Sequence, residues 1–317
     1  MLGLLQKSGY IKPGNGGGHY AEYIATREGV EIMDAQHPSH DGGGYLEYMA
    51  QRPRSHGLFS ADGPADLEKT MEEINGHTGL VWTFVNSLKR EDAHRLCYEN
   101  SESWRKLLLA HQTELAQAMK ISPSSFRWRA AFHDEKHHPH IHMMVWSADL
   151  KQGFLTEKGI ENMRSQLSNE IFRDELLSLY QKKDLSYSQV RDAATEAMGR
   201  LIREMETGLC HSPVIAEQME TLAGMLEGHK GKKVYSYLKK PVKVQVDAIV
   251  DELAKVLEVA ECYEQWNQLR DELERYYKDV PREHLPLSQQ KEFKAIKNMV
   301  IREAEELAAD AFGAAHA

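Results

Sequence analysis

Three histidines, His133, His140 and His142, fall within the run Ala131-Phe-His-Asp-Glu-Lys-His-His-Pro-His-Ile-His-Met-Met-Val-Trp146. Imidazole is the commonest side-chain ligand of divalent metals. A set of three leaves coordination positions for water or substrate, which points to catalysis and away from a closed structural site. Zn, Cu, Ni, Mn and Fe all accept imidazole, so ligand type alone does not choose the metal. His137 and His138, between the others, read as ordinary solvated residues.

A strand sends alternate side chains to one face, so His140 and His142 project together while Ile141 points away. His133 closes a second strand-like stretch that begins at Phe126, and a polar loop containing Pro139 joins the two. An antiparallel hairpin would bring all three imidazoles to one spot. Val81-Trp-Thr-Phe-Val-Asn-Ser87 is a further strand by its β-branched and aromatic content.

The first third is rich in glycine, at Pro13–Gly18, Asp41–Gly44 and Gly57–Gly63, and reads as long loops around short elements. Between these loops Tyr20-Ala-Glu-Tyr-Ile-Ala-Thr-Arg27 is echoed by Tyr45-Leu-Glu-Tyr-Met-Ala-Gln-Arg52. Two copies are too few for a solenoid. They read as short helical turns, each with tyrosines three apart on one face. Helices are predicted over Ser101–Lys120, Thr156–Leu179, Tyr187–Glu206, Val246–Tyr277 and Gln289–Phe312, the last two separated near Pro281 and Pro286. The first has Ser101 as N-cap and Leu107, Leu108, His111, Leu115 and Met119 near one face. Few strands, an antiparallel hairpin and flanking helices give an α+β class.

Composition narrows the function. A net charge of −9 argues against a protein that coats nucleic acid without specificity. Yet His229 to Val246 holds six lysines and no acid, interleaved with Tyr235 and Tyr237. Lys232, Lys233, Lys239 and Lys240 with the two tyrosines could track single-stranded DNA by charge and stacking; a solvated loop is the plainer alternative. Arg27 and Arg52, placed alike in the two echoes, could contact phosphates or sit in solvent. Cys97, Cys210 and Cys262 are an odd, unpatterned set that fits reduced thiols in a cytoplasmic protein. No apolar run suits a membrane span, Met1 to Leu5 is too short for a signal-peptide core, and no Gly-x-x-x-x-Gly-Lys-Ser/Thr phosphate loop occurs.

Pro139-His-Ile-His142 with His133 upstream resembles the His-hydrophobic-His motif of conjugative relaxases, within the HUH endonuclease superfamily. The similarity is greatest to mobilisation proteins of the MobA/MobL-like, MobP-type group. Glu22-Tyr-Ile-Ala-Thr-Arg-Glu-Gly29 is similar to the segment that carries the nucleophilic tyrosine in that group. Further similarity runs through Phe84-Val-Asn-Ser-Leu-Lys-Arg90, Trp104 and Trp128-Arg-Ala-Ala-Phe132. The histidine motif alone is shared with replication initiators and some transposases; the tyrosine segment is what points to a relaxase.

The resemblance implies an antiparallel sheet core of the HUH type with flanking helices, spanning residues 1–246, and a helical extension over 247–317. It implies a divalent metal held by His133, His140 and His142, Mn or Mg, with Zn or Ni also compatible. Tyr23 matches the nucleophile's position, with Tyr20 and Tyr48 as competitors; His19 stays open because some relatives attack with histidine. One subgroup carries an acidic residue where this chain has Lys136. Asp134 and Glu135 are the nearby carboxylates that could orient the imidazoles, with an exposed position on the loop as the equal alternative for both. The implied activity is site- and strand-specific nicking at the transfer origin of a plasmid or conjugative element, through a 5′-phosphotyrosyl adduct. Implied partners are single-stranded DNA, accessory relaxosome proteins and the coupling protein of a type IV secretion system, with no membrane insertion. Two rivals stand beside this: a rolling-circle replication initiator with the same chemistry, and a non-catalytic metal-binding DNA adaptor.

Overall fold

Apolar alternation with β-branched and aromatic residues builds the central strands, and an antiparallel sheet gathers them. The computed structural model describes residues 3–12, 17–26, 30, 57–208, 211–227, 229, 231–277 and 282–315. In chain order the first elements are β1 (Leu5–Ile11), α1 (Gly17–Thr26), β2 (Leu58–Ser60), β3 (Gly63–Pro64), α2 (Leu67–Asn75) and β4 (Val81–Ser87). They are followed by α3 (Arg90–Arg95), α4 (Ser101–Ala110), α5 (Gln112–Ala118), β5 (Phe126–His133), β6 (His140–Ser147) and α6 (Glu157–Ile171). The remaining helices are α7 (Arg173–Thr207), α8 (Pro213–Glu227), α9 (Lys240–Leu253), α10 (Leu257–Glu274) and α11 (Lys294–Ala315).

The sheet has six strands in the order β1-β4-β6-β5-β2-β3, with every pairing antiparallel. The class is α+β, as expected. The hairpin and the strand at Val81–Ser87 fall where the sequence places them; β1, β2 and β3 are additions. Part of the glycine-rich stretch read as loop, Gly57–Gly63, thus supplies an edge of the sheet.

Two compact units divide the chain, Met1–Asp174 and Glu175–Ala317. In the first, both sheet faces are covered. Ile141, Met143 and Val145 of β6 are buried on one face, beside Phe84 and Trp128. There the Trp128 indole donates to Gln112 of α5 at 3.1 Å. On the other face Ala21, Ile24 and Ala25 of α1 pack with Ile74 of α2, Val81, Ala131, Met144 and Trp146. The second unit buries Val190, Met198, Met219, Leu222, Val246, Trp266, Phe293 and Val300 among its helices.

Several helix boundaries differ from expectation. The predicted Ser101–Lys120 helix is two helices, because His111 leaves helical geometry (φ −106°, ψ 15°). Its N-cap is Asn100, whose side chain accepts from the Ser103 amide at 2.8 Å, and not Ser101. The segment from Thr156 breaks at buried Phe172, and Tyr187–Glu206 belongs to the long α7. The Val246–Tyr277 prediction begins earlier, at Lys240, and divides after Leu253. Pro241 sits in the first turn of α9, where a missing N–H costs nothing and the fixed φ favours the start. The last predicted helix starts later, at Lys294. Among the described residues no helix is long and apolar enough to cross a membrane.

Candidate metal centre

The hairpin register sets the site. His133 of β5 pairs directly with His140 of β6, and Ala131 with His142. All three imidazoles therefore emerge from one face at one end of the central strands. Ring centroids lie 5.2 Å apart for His133–His140, 4.7 Å for His133–His142 and 5.0 Å for His140–His142. One ligand atom from each residue lies within 4.8 Å of the others. Small side-chain rotations would bring three nitrogens onto one ion, so the group could hold a metal.

Each ring nitrogen turned away from the cluster has a hydrogen bond that disposes the other toward it. His133 Nε2 lies 2.7 Å from the Ile24 carbonyl oxygen, which must accept. Ile24 is in the last turn of α1, where carbonyls lack partners within the helix. His140 Nδ1 donates to the His138 carbonyl at 2.9 Å. His142 Nδ1 lies 3.2 Å from the Tyr20 hydroxyl. These contacts leave His133 Nδ1, His140 Nε2 and His142 Nε2 as the donor set, the arrangement by which proteins fix imidazole tautomers for metals.

Helix α1 is thus the second wall of the site, and two glycines let it sit close. A Cβ on Gly17 would stand 2.5 Å from Ile74 Cγ2, and one on Gly18 would meet the Asn75 amide at the same distance. The Asn75 side chain accepts from the Gly18 amide at 3.0 Å, capping the start of α1 from α2. Tyr20 and Tyr23 follow one turn apart, their ring centroids 6.4 Å apart. Tyr23 is 52% exposed, whereas Tyr20 is half-buried against His142. His19 is exposed, with its Nδ1 3.7 Å from Glu22. Arg27, Tyr48 and Arg52 lie outside the described residues.

The loop between His133 and His140 is held by the last residue of the Phe84–Arg90 segment, to which no role of its own is assigned from sequence. Arg90 forms an ion pair with Asp134 at 2.6 Å and donates to the carbonyls of Glu135 and Lys136. Its own amide donates to the His137 carbonyl at 3.1 Å, and the Leu88 amide to Pro139 at 3.2 Å. The hydrogen bond that Arg90 donates to Asp134 raises the Arg90 pKa above its ordinary value, and Glu99 adds to the effect. Glu99 is in turn held below the usual carboxylate range, first by His94 and then by Arg90. Of the two positions open to Asp134 it takes the exposed one on the loop, where it pairs with Arg90. Lys136, His137 and His138 are exposed, as solvated loop residues should be.

Arg90→Ala is expected to lower Mn²⁺ affinity several-fold, toward the ~10-fold seen for residues that position ligands. Arg90→Lys should recover little, since an ammonium cannot span a carboxylate and two carbonyls as the guanidinium fork does. Titration calorimetry on folded variants checks both, and an unchanged affinity would show that the loop needs no such anchor.

In the second unit the lysine strip divides. Tyr235 donates to Asp247 at 2.8 Å, the Lys297 ammonium lies 4.0 Å from its ring centre, and Lys233 pairs with Glu305 at 3.0 Å. Lys232, Tyr237, Lys239 and Lys240 are exposed, with Lys232 5.9 Å from the Tyr237 ring centre.

A hairpin that converges three imidazoles, flanked by a helix bearing tyrosines, defines a metal-competent centre with the Tyr20 hydroxyl beside it. The family model for MobL relaxases matches residues 1–313, and the chain belongs to that family. The match runs through both compact units. None of the curated proteins and none of the solved structures matches the chain.

Proposed function

We propose that this relaxase is a metal-dependent, site- and strand-specific DNA nickase and strand transferase, acting at the transfer origin of a plasmid or conjugative element. The observation that carries the reading is the convergence of His133, His140 and His142 beside Tyr20 of α1, with Tyr23 one turn further along the same helix. His133 Nδ1, His140 Nε2 and His142 Nε2 would hold the ion, Mn²⁺ or Mg²⁺. When bound, it supplies positive charge for a phosphate's non-bridging oxygens.

Tyr23 is assigned as the nucleophile. Its phenolic oxygen forms a bond to phosphorus as the bond to the 3′-oxygen breaks; the phenolic proton is lost and the departing oxygen gains one. One phosphodiester replaces another, so the step is reversible and the same site can rejoin ends. Tyr20 keeps the His142 ring oriented. Exposed Lys232, Tyr237, Lys239 and Lys240 would grip flanking single-stranded DNA by charge and stacking. On this reading residues 1–246 form the functional relaxase domain and 247–317 an extension. The protein works in the cytoplasm with accessory relaxosome proteins and passes its DNA to the coupling protein of a type IV secretion system.

The test uses labelled single strands tiling the element that carries the gene, with Mn²⁺, Mg²⁺ or chelator. A denaturation-resistant adduct on one strand only, lost with chelator, is the expected result. No adduct on any segment, with folded and metallated protein, would overturn the reading.

A further inference from the structure

A cation stands in line with the histidines across the sheet. The registers of β1 with β4 and of β4 with β6 place Lys7, Val85 and His142 side by side on three neighbouring strands. Residues paired directly across antiparallel strands share a face, so Lys7 projects from the face that holds His142. The next row toward the histidine end is Leu5, Ser87 and His140. Together the two rows contain one cation and no acidic residue.

Two strand spacings separate Lys7 from His142, about 10 Å between backbones. That gap suits a flexible lysine stem reaching over half-buried Val85. Lys7 is exposed, and among the described residues it has no acidic partner. Helix α1 meets the histidines from its own residues Tyr20 and Ile24 and packs on the same face over Val81, Ala131, Met144 and Trp146. The row from His142 through Val85 to Lys7 gives a backbone phosphate next to the histidines a cation two strands away.

We propose that Lys7 is a phosphate-binding residue for single-stranded DNA, holding a backbone phosphate adjacent to the one at the histidines; this rests on the relaxase reading. A lysine kept only to discourage pairing at the sheet edge would leave DNA binding untouched, and the two roles separate experimentally. The probe is a fluorescent oligothymidylate, titrated by anisotropy over a series of salt concentrations into metal-loaded wild type, Lys7→Ala, Lys7→Arg and Lys151→Ala. Lys151 is an exposed lysine beyond the far end of β6.

Lys7→Ala should weaken binding several-fold at low salt and reduce the slope of log affinity against log salt by about 0.7, the share of one phosphate contact on a single strand. Lys7→Arg should restore both, and Lys151→Ala should change neither. Mn²⁺ affinity should be the same in all four proteins. Wild-type binding unmoved by Lys7→Ala would overturn this assignment alone, as would a loss that tracks weakened Mn²⁺ binding. Failure of wild type to bind the strand at low salt would overturn the Lys7 assignment, while the relaxase reading stands or falls separately on the adduct assay with the element's own strands.

Discussion

Tyr23→Phe is expected to reduce the covalent DNA adduct to background while leaving Mn²⁺ affinity, melting temperature and non-covalent strand binding near wild type. The substitution removes one oxygen from a half-exposed ring, so neither packing nor a ligand is lost. What disappears is the atom that would bond to phosphorus. Tyr20→Phe should behave differently. Its oxygen lies 3.2 Å from His142 Nδ1, and losing such a partner weakens metal binding by ~10- to 100-fold. Adduct formation by Tyr20→Phe should therefore recover as Mn²⁺ is raised; the deficit of Tyr23→Phe should not. Peptide mapping of the wild-type adduct checks the assignment directly. An adduct that survives in Tyr23→Phe and vanishes at all Mn²⁺ concentrations in Tyr20→Phe would move the nucleophile to Tyr20, and Tyr48→Phe provides the third arm.

His142→Ala carries the second large effect. The ring is one of three donors, and the two that are left cannot enclose the ion from one side. Mn²⁺ affinity should fall by more than the ~10- to 100-fold expected for loss of an orienting contact alone. Cleavage should fall by at least ~10²-fold, the usual scale for removing a preorganised stabiliser of transition-state charge. His137→Ala is the matched control: it removes an exposed imidazole from the loop while leaving that residue's carbonyl to accept from the Arg90 amide. Calorimetric titration with Mn²⁺ and the adduct assay should both separate the two variants. Equal activity for His142→Ala and wild type would remove the metal centre from the reaction.

The hairpin was legible because both its cues are local. Phe126–His133 and His140–Ser147 have strand composition, and the two-residue period puts His140 and His142 on one face without knowledge of the rest of the sheet. The α1 tyrosines were legible as a helical turn for a similar reason. By contrast, β1 reads Leu-Gln-Lys-Ser-Gly-Tyr-Ile, weak in alternation, and its partner β4 begins 70 residues after β1 ends. Only the pairing makes it a strand, so Lys7 had no visible connection to His142. β2 and β3 are three and two residues long, below what any period can show. Arg90 was legible only as the end of the Phe84–Arg90 similarity and not in its role, since the loop it grips is distant in sequence. The tautomer-setting contacts were the least legible, because two of the three acceptors are peptide carbonyls that every residue type possesses.

That last feature bears on how the gene can drift. The acceptors for His133 and His140 belong to the backbone of positions 24 and 138, so no single side-chain replacement at those positions deletes them. Position 138 is exposed and should accept almost any residue with intact metal binding. Position 24 should accept any apolar residue that fills the space of Ile24 beneath α1. Variation among homologues can then be wide at these two positions, while the glycines that seat α1 against α2 stay fixed.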